Sequence, residues 1–156
     1  MMKIVRANSS DAPIIHDIMV RAFKVFEYAT PPTSALKETV SSITTALEHE
    51  EQAFIAYLQN EAVGMVRFRI DENELFFYRL ATLPEFQGKG IAKKILHHIE
   101  SYAIQHNIRR IQCHVRKNVA KNIALYHALG YQIEEEKTMK HSEHTFIDIV
   151  SMVKII

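Results

Sequence analysis

Two glycines fall within three positions in the segment Gln87-Gly88-Lys89-Gly90-Ile91-Ala92, although the 156 residues contain only four glycines. The segment follows strand-forming residues and precedes an apolar stripe of helical spacing, so we expect a strand to turn sharply into a long helix here. Backbone N–H groups at a helix start lack partners and carry the positive end of the helix dipole. Glycines let such a backbone approach a ligand closely. The segment is therefore suited to hold a pyrophosphate, and a tight turn without any ligand is the alternative interpretation.

Three further side chains are of types that orient a ligand or move a proton. Asn122 and Tyr126 are four residues apart in a helical pattern, so they share one helix face. The phenol of Tyr126, with an ordinary pKa of ~10, can donate a proton at neutral pH; a buried core aromatic is the alternative. His114 lies on a predicted strand whose residues alternate between two faces. With an ordinary pKa of ~6.5 it is suited to take up a proton, and a purely structural histidine is the alternative.

The strands and helices that position these residues can be predicted from the spacing of apolar residues. Apolar runs and alternation predict strands at 3–6, 53–58, 62–70, 75–83, 111–115, 131–139 and 145–155. A hairpin should join the second and third strands at Asn60-Glu61. Helices are predicted after the capping residues 8–11, after Ser34, after Gly90 and over 117–129, with the Thr30-Pro31-Pro32 break separating the first two.

Helices alternate with strands and hairpins are present too, which predicts one α/β domain over residues 1–156 with a mixed sheet. Lys and Arg number 19 against 18 Asp and Glu, a net charge of +1, which argues against nucleic-acid binding by a strongly basic surface. The single cysteine, Cys113, excludes an internal disulfide. The early polar residues and the lack of a long apolar run lead us to expect no signal peptide, no membrane partner and a cytoplasmic location.

The string Gln87-x-x-Gly90-x-Ala92, preceded by Leu-Ala-Thr-Leu-Pro-Glu at 80–85, resembles a motif of the GNAT superfamily of N-acetyltransferases, Q/R-x-x-G-x-G/A. Thr82 stands where valine is common in that family. The segment 121–131, Lys-Asn-Ile-Ala-Leu-Tyr-His-Ala-Leu-Gly-Tyr, is similar to the family's N-I-x-x-Y-x-x-x-G-Y/F segment. The order and spacing of strands and helices also match from Lys3 to the C-terminus.

The resemblance implies a mostly antiparallel sheet, with helices on both faces, that splays between two central parallel strands. It implies acetyl-CoA as cosubstrate, with the pyrophosphate on the amides of Gln87, Gly88, Lys89, Gly90, Ile91 and Ala92. The strand edge at Leu80, Ala81 and Thr82 is then expected to bind the pantetheine arm. Asn122 is expected to contact the cofactor, with Asn118 as its substitute, and Tyr126 to protonate the departing thiolate.

The base that removes the amine proton stays open. Many relatives have a glutamate where this chain has Tyr78, so that match fails. Some relatives carry a glutamate twelve residues before the tyrosine, where this chain has His114, and a water chain is the alternative. On the acceptor side, Phe26, Glu27 and Tyr28 predict an apolar wall with a carboxylate for an ammonium group. Ordinary helix packing followed by a stiff loop is the alternative for that segment.

We therefore expect an acetyl-CoA-dependent N-acetyltransferase that acts on a primary amine of a small molecule or peptide by direct attack. A non-catalytic acyl-CoA-binding or sensing module is the alternative, which Tyr78 keeps open, and a pure interaction domain is the third class. No metal is expected, because the histidines at 97–98 and 141–144 lack a third ligand at a suitable spacing. The sequence leaves a homodimer open.

Overall fold

The computed structural model describes residues 1–29 and 33–156, so the predicted Thr30-Pro31-Pro32 break lies outside the described residues. The strands are β1 (Met2–Arg6), β2 (Glu51–Leu58), β3 (Glu61–Asp71), β4 (Glu74–Thr82), β5 (Arg110–Arg116), β6 (Gln132–Ser142) and β7 (Thr145–Ile155). The α-helices are α1 (Ala12–Phe23), α2 (Val40–Glu48), α3 (Ile91–Gln105) and α4 (Ala120–Ala128). Short 3₁₀ turns precede or follow several of these helices.

The seven strands form one sheet in the order β1-β2-β3-β4-β5-β7-β6. Neighbouring strands pair antiparallel except for β4 and β5, which are parallel. The predicted hairpin between β2 and β3 turns at Gln59 and Asn60, both with positive φ. The expected fold class, a mixed and mostly antiparallel sheet with one central parallel pair, is confirmed.

Helices cover both faces of the sheet and divide the apolar core in two. On one face, α1 and α2 bury Ile15, Met19 and Ile43 against β2 and β3. On the other face, α3 buries its predicted apolar stripe, and α4 adds Tyr126. Successive residues of a strand point to opposite faces of the sheet. The central strands therefore contribute buried apolar side chains to both halves of the core.

Gly64 of β3 is required by the close approach of α3. A Cβ at this position would lie 3.1 Å from the Ala81 carbonyl oxygen and 3.1 Å from side-chain carbons of both Ile91 and Ile95. Because there is no Cβ, the first turns of α3 can pack directly against β3 and β4. This contact fixes the start of α3 next to the end of β4, where the glycine turn lies.

Two helices begin later than the sequence predicts. The helix expected after Ser34 is instead a 3₁₀ turn over Ser34–Lys37, followed by α2, whose first turn is closed by a capping box between Thr39 and Ser42. The helix expected from Lys117 begins at Ala120, because the Lys117 N–H donates to the Asp148 carbonyl of β7. Glu38 lies between the 3₁₀ turn Ser34–Lys37 and the cap of α2 and has an extended backbone. Its side chain borders the cavity described below.

Candidate active site

The sheet opens between β4 and β5. These strands pair only at Glu74–Phe76 with Arg110–Gln112, although both continue to Thr82 and Arg116. Beyond that point β4 stays with β3, and β5 stays with β7 along its whole length. The separation leaves a cavity of about 570 Å³ bordered by both strands.

A bulge in β4 accompanies this opening. The pairing register between β3 and β4 shifts between Met65 and Arg67, and Arg79 takes a φ of 54°, which non-glycine residues rarely adopt. A bulge leaves backbone groups out of the ladder and turns the strand. The side chain of Arg79 is held by Glu38 at 3.0 Å and Ser34 at 3.1 Å. Ser34 and Glu38, which precede α2, thus hold the side chain of the residue whose backbone is strained at the opening.

The glycine turn after β4 is open and polar. Gly88 and Gly90 have φ values of 82° and 77°, and a Cβ on either would meet nothing within 4 Å. Within the described chain, no acceptor is found for the N–H groups of 88–92. The Gln87 amide donates to the Thr82 carbonyl at 3.3 Å, which ties the turn to β4. The hydroxyl of Thr82 is buried with no partner among the described residues. Free amides and open space are what an oxyanion of a ligand requires.

Tyr126 and Asn122 both border the cavity, as their shared helix face predicts. The Tyr126 ring is 8 % exposed and packs edge-on against Phe77, with centroids 5.7 Å apart. Its hydroxyl makes no hydrogen bond to another described residue. Burial raises the pKa of Tyr126, so the phenol keeps its proton at neutral pH. The ring is therefore part of the core, and the hydroxyl keeps the proton that a proton donor requires. Asn118 is exposed and does not border the cavity.

His114 reaches the same cavity from β5. Burial alternates along β5, so Cys113 and Val115 face the α3 side while His114 and Arg116 face the other. The imidazole stands edge-on to Phe76, with ring centroids 4.8 Å apart. Burial lowers the pKa of His114, and the Lys137 and Arg69 cations lower it further. The imidazole is therefore neutral at neutral pH and able to accept a proton.

The cavity passes through the sheet from one face to the other. Phe77, Cys113 and Tyr126 border it on the face of α3 and α4, and Phe76, Tyr78 and His114 border it on the face of α1. Burial raises the pKa of the Cys113 thiol to about 12, so it offers no thiolate at neutral pH. The cavity is therefore bordered by residues of both sheet faces.

A buried ion-pair cluster on the α1 face was not predicted from the sequence. Arg67 is 3 % exposed and donates twice to Glu51, at 2.8 and 2.9 Å, and twice to Glu38, at 2.8 and 2.9 Å. Burial would lower the pKa of Arg67, but the two carboxylates outweigh it and the pKa is raised. Arg79 shares Glu38 with Arg67. The cluster joins the loop before α2 to β2, β3 and the β4 bulge.

Tyr78, at the position where relatives commonly have a glutamate, borders the cavity beside this cluster. The guanidinium of Arg67 lies 5.5 Å from its ring centroid. Burial raises the pKa of Tyr78, and the nearby Glu51 carboxylate raises it further. A phenol held protonated cannot accept a proton at neutral pH, so Tyr78 does not replace a glutamate base.

The predicted acceptor wall is only partly at the cavity. Phe26 borders it together with Phe23, at the 3₁₀ turn Lys24–Phe26 that ends α1. Glu27 and Tyr28 do not border it: the chain leaves the turn outward, and Tyr28 is 90 % exposed. The carboxylate that lines the cavity belongs to Glu38 instead, because the break before α2 holds it there.

No helix within 1–29 and 33–156 is long and apolar enough to cross a membrane. The same residues contain no group of three or more His, Cys, Asp or Glu side chains placed to hold a metal ion.

An α/β sheet that opens between two parallel strands, with a free glycine turn at the end of the first, is the architecture that the sequence motifs implied. The model of the acetyltransferase (GNAT) family matches residues 13–131, more than half of the chain, so the chain belongs to that family. The resemblance stated from the sequence motifs is confirmed.

Solved structures show the same fold at low sequence identity. A probable acetyltransferase from Staphylococcus epidermidis is 13 % identical over 99 % of both chains, with a TM-score of 0.84. The PaiA N-acetyltransferase from Thermoplasma acidophilum, in complex with coenzyme A, is 14 % identical over 100 % of this chain and 99 % of that one, with a TM-score of 0.81. The ribosomal-protein-alanine N-acetyltransferase from Brucella melitensis is 16 % identical over 99 % of both chains, with a TM-score of 0.80.

Proposed function

We propose that residues 1–156 form one domain that transfers an acetyl group from acetyl-CoA to a primary amine. The observation that carries this proposal is the cavity between β4 and β5, which is bordered by His114, Asn122 and Tyr126 and by residues of both sheet faces. Direct transfer needs both reactants in one place at once. A cavity lined from both faces of the sheet is suited to that need.

The chain's residues fit acetyl-CoA at the turn after β4. The N–H groups of 88–92 are without acceptors in the described chain, and open space lies above Gly88 and Gly90. The residues proposed to hold the cosubstrate are Leu80, Ala81, Thr82, Gln87, Gly88, Lys89, Gly90, Ile91, Ala92 and Asn122. Leu80 and Asn122 border the cavity, and the buried Thr82 hydroxyl lacks a partner in the described chain. When bound, acetyl-CoA supplies an acetyl group activated as a thioester.

Three groups of this chain serve the chemistry in our proposal. A backbone N–H freed by the β4 bulge donates to the carbonyl oxygen as negative charge develops there, an effect worth about 2.7–4 kcal/mol in other enzymes. Tyr126, protonated and buried, donates its proton to the departing sulfur. His114, neutral at neutral pH, accepts a proton from the amine, and a water chain is the alternative base.

The acceptor enters on the α1 face in this proposal. Phe23 and Phe26 provide apolar wall, and Glu38 and Tyr78 provide polar groups. A cavity of about 570 Å³ admits a small amine or the end of a peptide, together with the acetyl end of the cosubstrate.

One observation favours a second candidate function, a non-catalytic acyl-CoA-binding module. Tyr78 stands where relatives commonly have a glutamate, and its raised pKa prevents it from acting as a base. This candidate keeps the glycine turn and loses the transfer.

The test is an acetyl-CoA activity screen over a broad panel of primary amines, with detection of released thiol and of the acetylated amine. We expect thiol release that depends on the amine. Acetyl-CoA binding seen by calorimetry, without transfer to any amine, would support the second candidate instead. A folded protein whose melting temperature is unchanged by millimolar acetyl-CoA would contradict both, since ligand at 100 times its Kd stabilises a protein by about 2.7 kcal/mol.

A further inference from the structure

Ser151 of β7 is a polar residue inside a buried apolar run. It is 0 % exposed, and the buried hydrophobic residues on either side of it are Ile149, Val150, Met152 and Val153. Its hydroxyl oxygen, Oγ, is buried with no hydrogen-bond partner among the described residues. An unpaired hydroxyl withdrawn from water destabilises a fold, so packing alone does not account for a serine at this position.

Ser151 lies directly opposite His114. The antiparallel pairing of β5 with β7 places these two residues in register, so their side chains project from the same sheet face. Val150 and Met152 belong to the core on the α3 face, which puts Ser151 on the α1 face with the imidazole. Within 1–29 and 33–156, neither ring nitrogen of His114 has a hydrogen-bond partner. Two unpaired polar groups therefore face each other across one strand pair.

The separation between the two side chains is small enough for a hydrogen bond. Directly opposite residues on antiparallel strands have Cβ atoms about 4.5–5.5 Å apart. A change between staggered rotamers of Ser151 can therefore bring Oγ to a ring nitrogen. Hydrogen bonds of catalytic groups are often long before a ligand binds and tighten in the complex.

Glu135 of β6 completes a row across three strands. It lies opposite Ser151 on the other side of β7, so the order on the α1 face is His114, Ser151 and Glu135. The Glu135 carboxylate acts to raise the pKa of His114, which is consistent with this closeness. One of its oxygens, Oε2, is 3.7 Å from the ammonium of Lys137. In the described chain the other oxygen, Oε1, is in no ion pair.

The chemistry of the three groups sets the direction of the hydrogen bonds. An ionised carboxylate only accepts, so the single hydrogen of the Ser151 hydroxyl goes to Glu135. The hydroxyl oxygen then has lone pairs for an N–H of His114. A neutral imidazole carries one N–H, so the other ring nitrogen is left with its lone pair.

We propose that Ser151 is a positioning residue for His114: its hydroxyl accepts the imidazole N–H, donates its own hydrogen to Glu135, and leaves the other ring nitrogen free to accept a proton. This inference rests on the proposed role of His114 as the base. The proton of the amine moves to the free nitrogen, and its bonding electron pair stays on the amine nitrogen. The imidazolium that forms donates a stronger hydrogen bond to Ser151. No bond of Ser151 itself forms or breaks.

NMR reads the imidazole directly and requires no turnover. Proton–nitrogen couplings in ¹⁵N-labelled protein show which ring nitrogen carries the hydrogen, and His114→Gln assigns the signal among the nine histidines. Above pH ~6.5 we expect a single tautomer in the unchanged protein and a mixture in Ser151→Ala. The pKa of His114 should fall in that variant, because the imidazolium loses an acceptor. Equal tautomer populations in both proteins, or a pKa that rises, would overturn the proposal.

Ser151→Cys separates the hydrogen bond from packing. A thiol fills the same place and is a much weaker acceptor, so this variant should resemble Ser151→Ala at the imidazole. The other charged or titratable groups around His114 are unchanged in both variants: Arg69, Glu74, Tyr78, Arg116, Glu135 and Lys137. A Cys variant that keeps the single tautomer would show that packing holds the ring and would overturn the proposal.

Glu135→Ala and Glu136→Ala form a matched pair on β6. Both residues are exposed, but Glu136 lies opposite Val150 and therefore points to the other sheet face. We expect Glu135→Ala to change the tautomer populations of His114 and Glu136→Ala to leave them unchanged. The effect of Glu135→Ala should vanish in a Ser151→Ala background, because the hydroxyl carries it. The same effect in that background would show a charge acting through space and refute the row.

Kinetics separates this inference from the proposed function. With the amine that gives the fastest thiol release, Ser151→Ala should lower kcat about 10-fold with KM nearly unchanged, the scale of one charge-assisted hydrogen bond. If the tautomer changes as expected but no amine is acetylated, Ser151 positions His114 and the proposed function fails. If acetylation occurs while Ser151→Ala changes neither kcat nor the tautomer, acetyl transfer stands and the role of Ser151 is refuted.

Discussion

Replacement of Tyr126 by Phe removes one hydroxyl from the proposed acid and keeps the aromatic ring. The contacts with Phe77 and Tyr131, at centroid distances of 5.7 and 6.1 Å, involve the rings and should survive. The hydroxyl makes no hydrogen bond to another described residue, so its loss leaves none of the described groups unpaired. We expect the melting temperature to change by no more than a few degrees.

The catalytic effect of Tyr126→Phe should be large by comparison. A positioned general acid contributes about 10²–10⁴-fold, so kcat should fall by that factor, equivalent to about 2.7–5.5 kcal/mol of activation free energy. The affinity for acetyl-CoA should change little, because its main contacts are proposed to be backbone amides. The loss should shrink with a thioester whose thiol is more acidic, since that leaving group needs less help.

The assay is single-turnover thiol release with saturating amine, so that the chemical step is observed. The matched control is Tyr131→Phe, the same change on a fully buried tyrosine that does not border the cavity and donates to Glu100 at 3.4 Å. That variant should lose stability and keep its rate. If Tyr126→Phe reacts within two- or three-fold of the unchanged protein, Tyr126 is not the acid and water must be tested in that role.

Three more predictions concern the turn, the ion cluster and the base. Gly90→Glu should weaken CoA binding, measured by calorimetry, at least 100-fold. Gly90→Ala has the same strain at φ 77° but no charge and should weaken binding less. A CoA affinity in Gly90→Glu equal to that of the unchanged protein would show that the turn is purely structural. Arg67→Met removes the ion-pair partner of the buried Glu51 carboxylate, so the free energy of unfolding in urea should fall by about 3–5 kcal/mol. Adding Glu51→Gln should recover part of that loss. A loss under about 1 kcal/mol in Arg67→Met would refute this prediction. Burial, Lys137 and Arg69 lower the pKa of His114, Glu135 and Glu74 raise it, and the net effect is a decrease. The imidazole is therefore neutral above its ordinary pKa of ~6.5, so kcat should be flat there. It should fall only at lower pH, as the pH drops through the lowered pKa of His114. His114→Gln should abolish this limb, and an unchanged limb would favour water as the base.

The parts of the site that the sequence predicts are those whose signal is local. A strand, two glycines and an apolar helix stripe are contiguous, so the turn at 87–92 is readable directly. Asn122 and Tyr126 follow from one helical turn, and His114 follows from strand alternation. In each case the spacing along the chain fixes the direction of the side chain.

The ion cluster has no such signal. Arg67 meets Glu51 and Glu38, which lie 16 and 29 positions away, and Arg79 meets Glu38 across 41 positions. These pairs exist only once the strands and the break before α2 are assembled. The outward direction of Glu27 and Tyr28 was missed for a related reason, since a 3₁₀ turn ends the 3.6-residue period of α1.

The bulge at Arg79 also lies beyond sequence patterns. Alternation along 75–83 predicts a regular strand, and nothing in the residue types marks Arg79 for a positive φ. Its conformation depends on Glu38 and Ser34, which hold its side chain from another element. The opening of the sheet could therefore be expected from the family resemblance but not from the local sequence.

The measurement that tests acetyl transfer most directly follows the acetyl group itself. Acetyl-CoA with an isotope-labelled acetyl group is incubated with the protein and the amine that gives the fastest thiol release, and the products are identified by mass spectrometry. We expect the label in an amide of that amine, with one thiol released per label transferred and with transfer strongly reduced in Tyr126→Phe. Label that stays on CoA, or that appears only as free acetate, would contradict acetyl transfer to an amine.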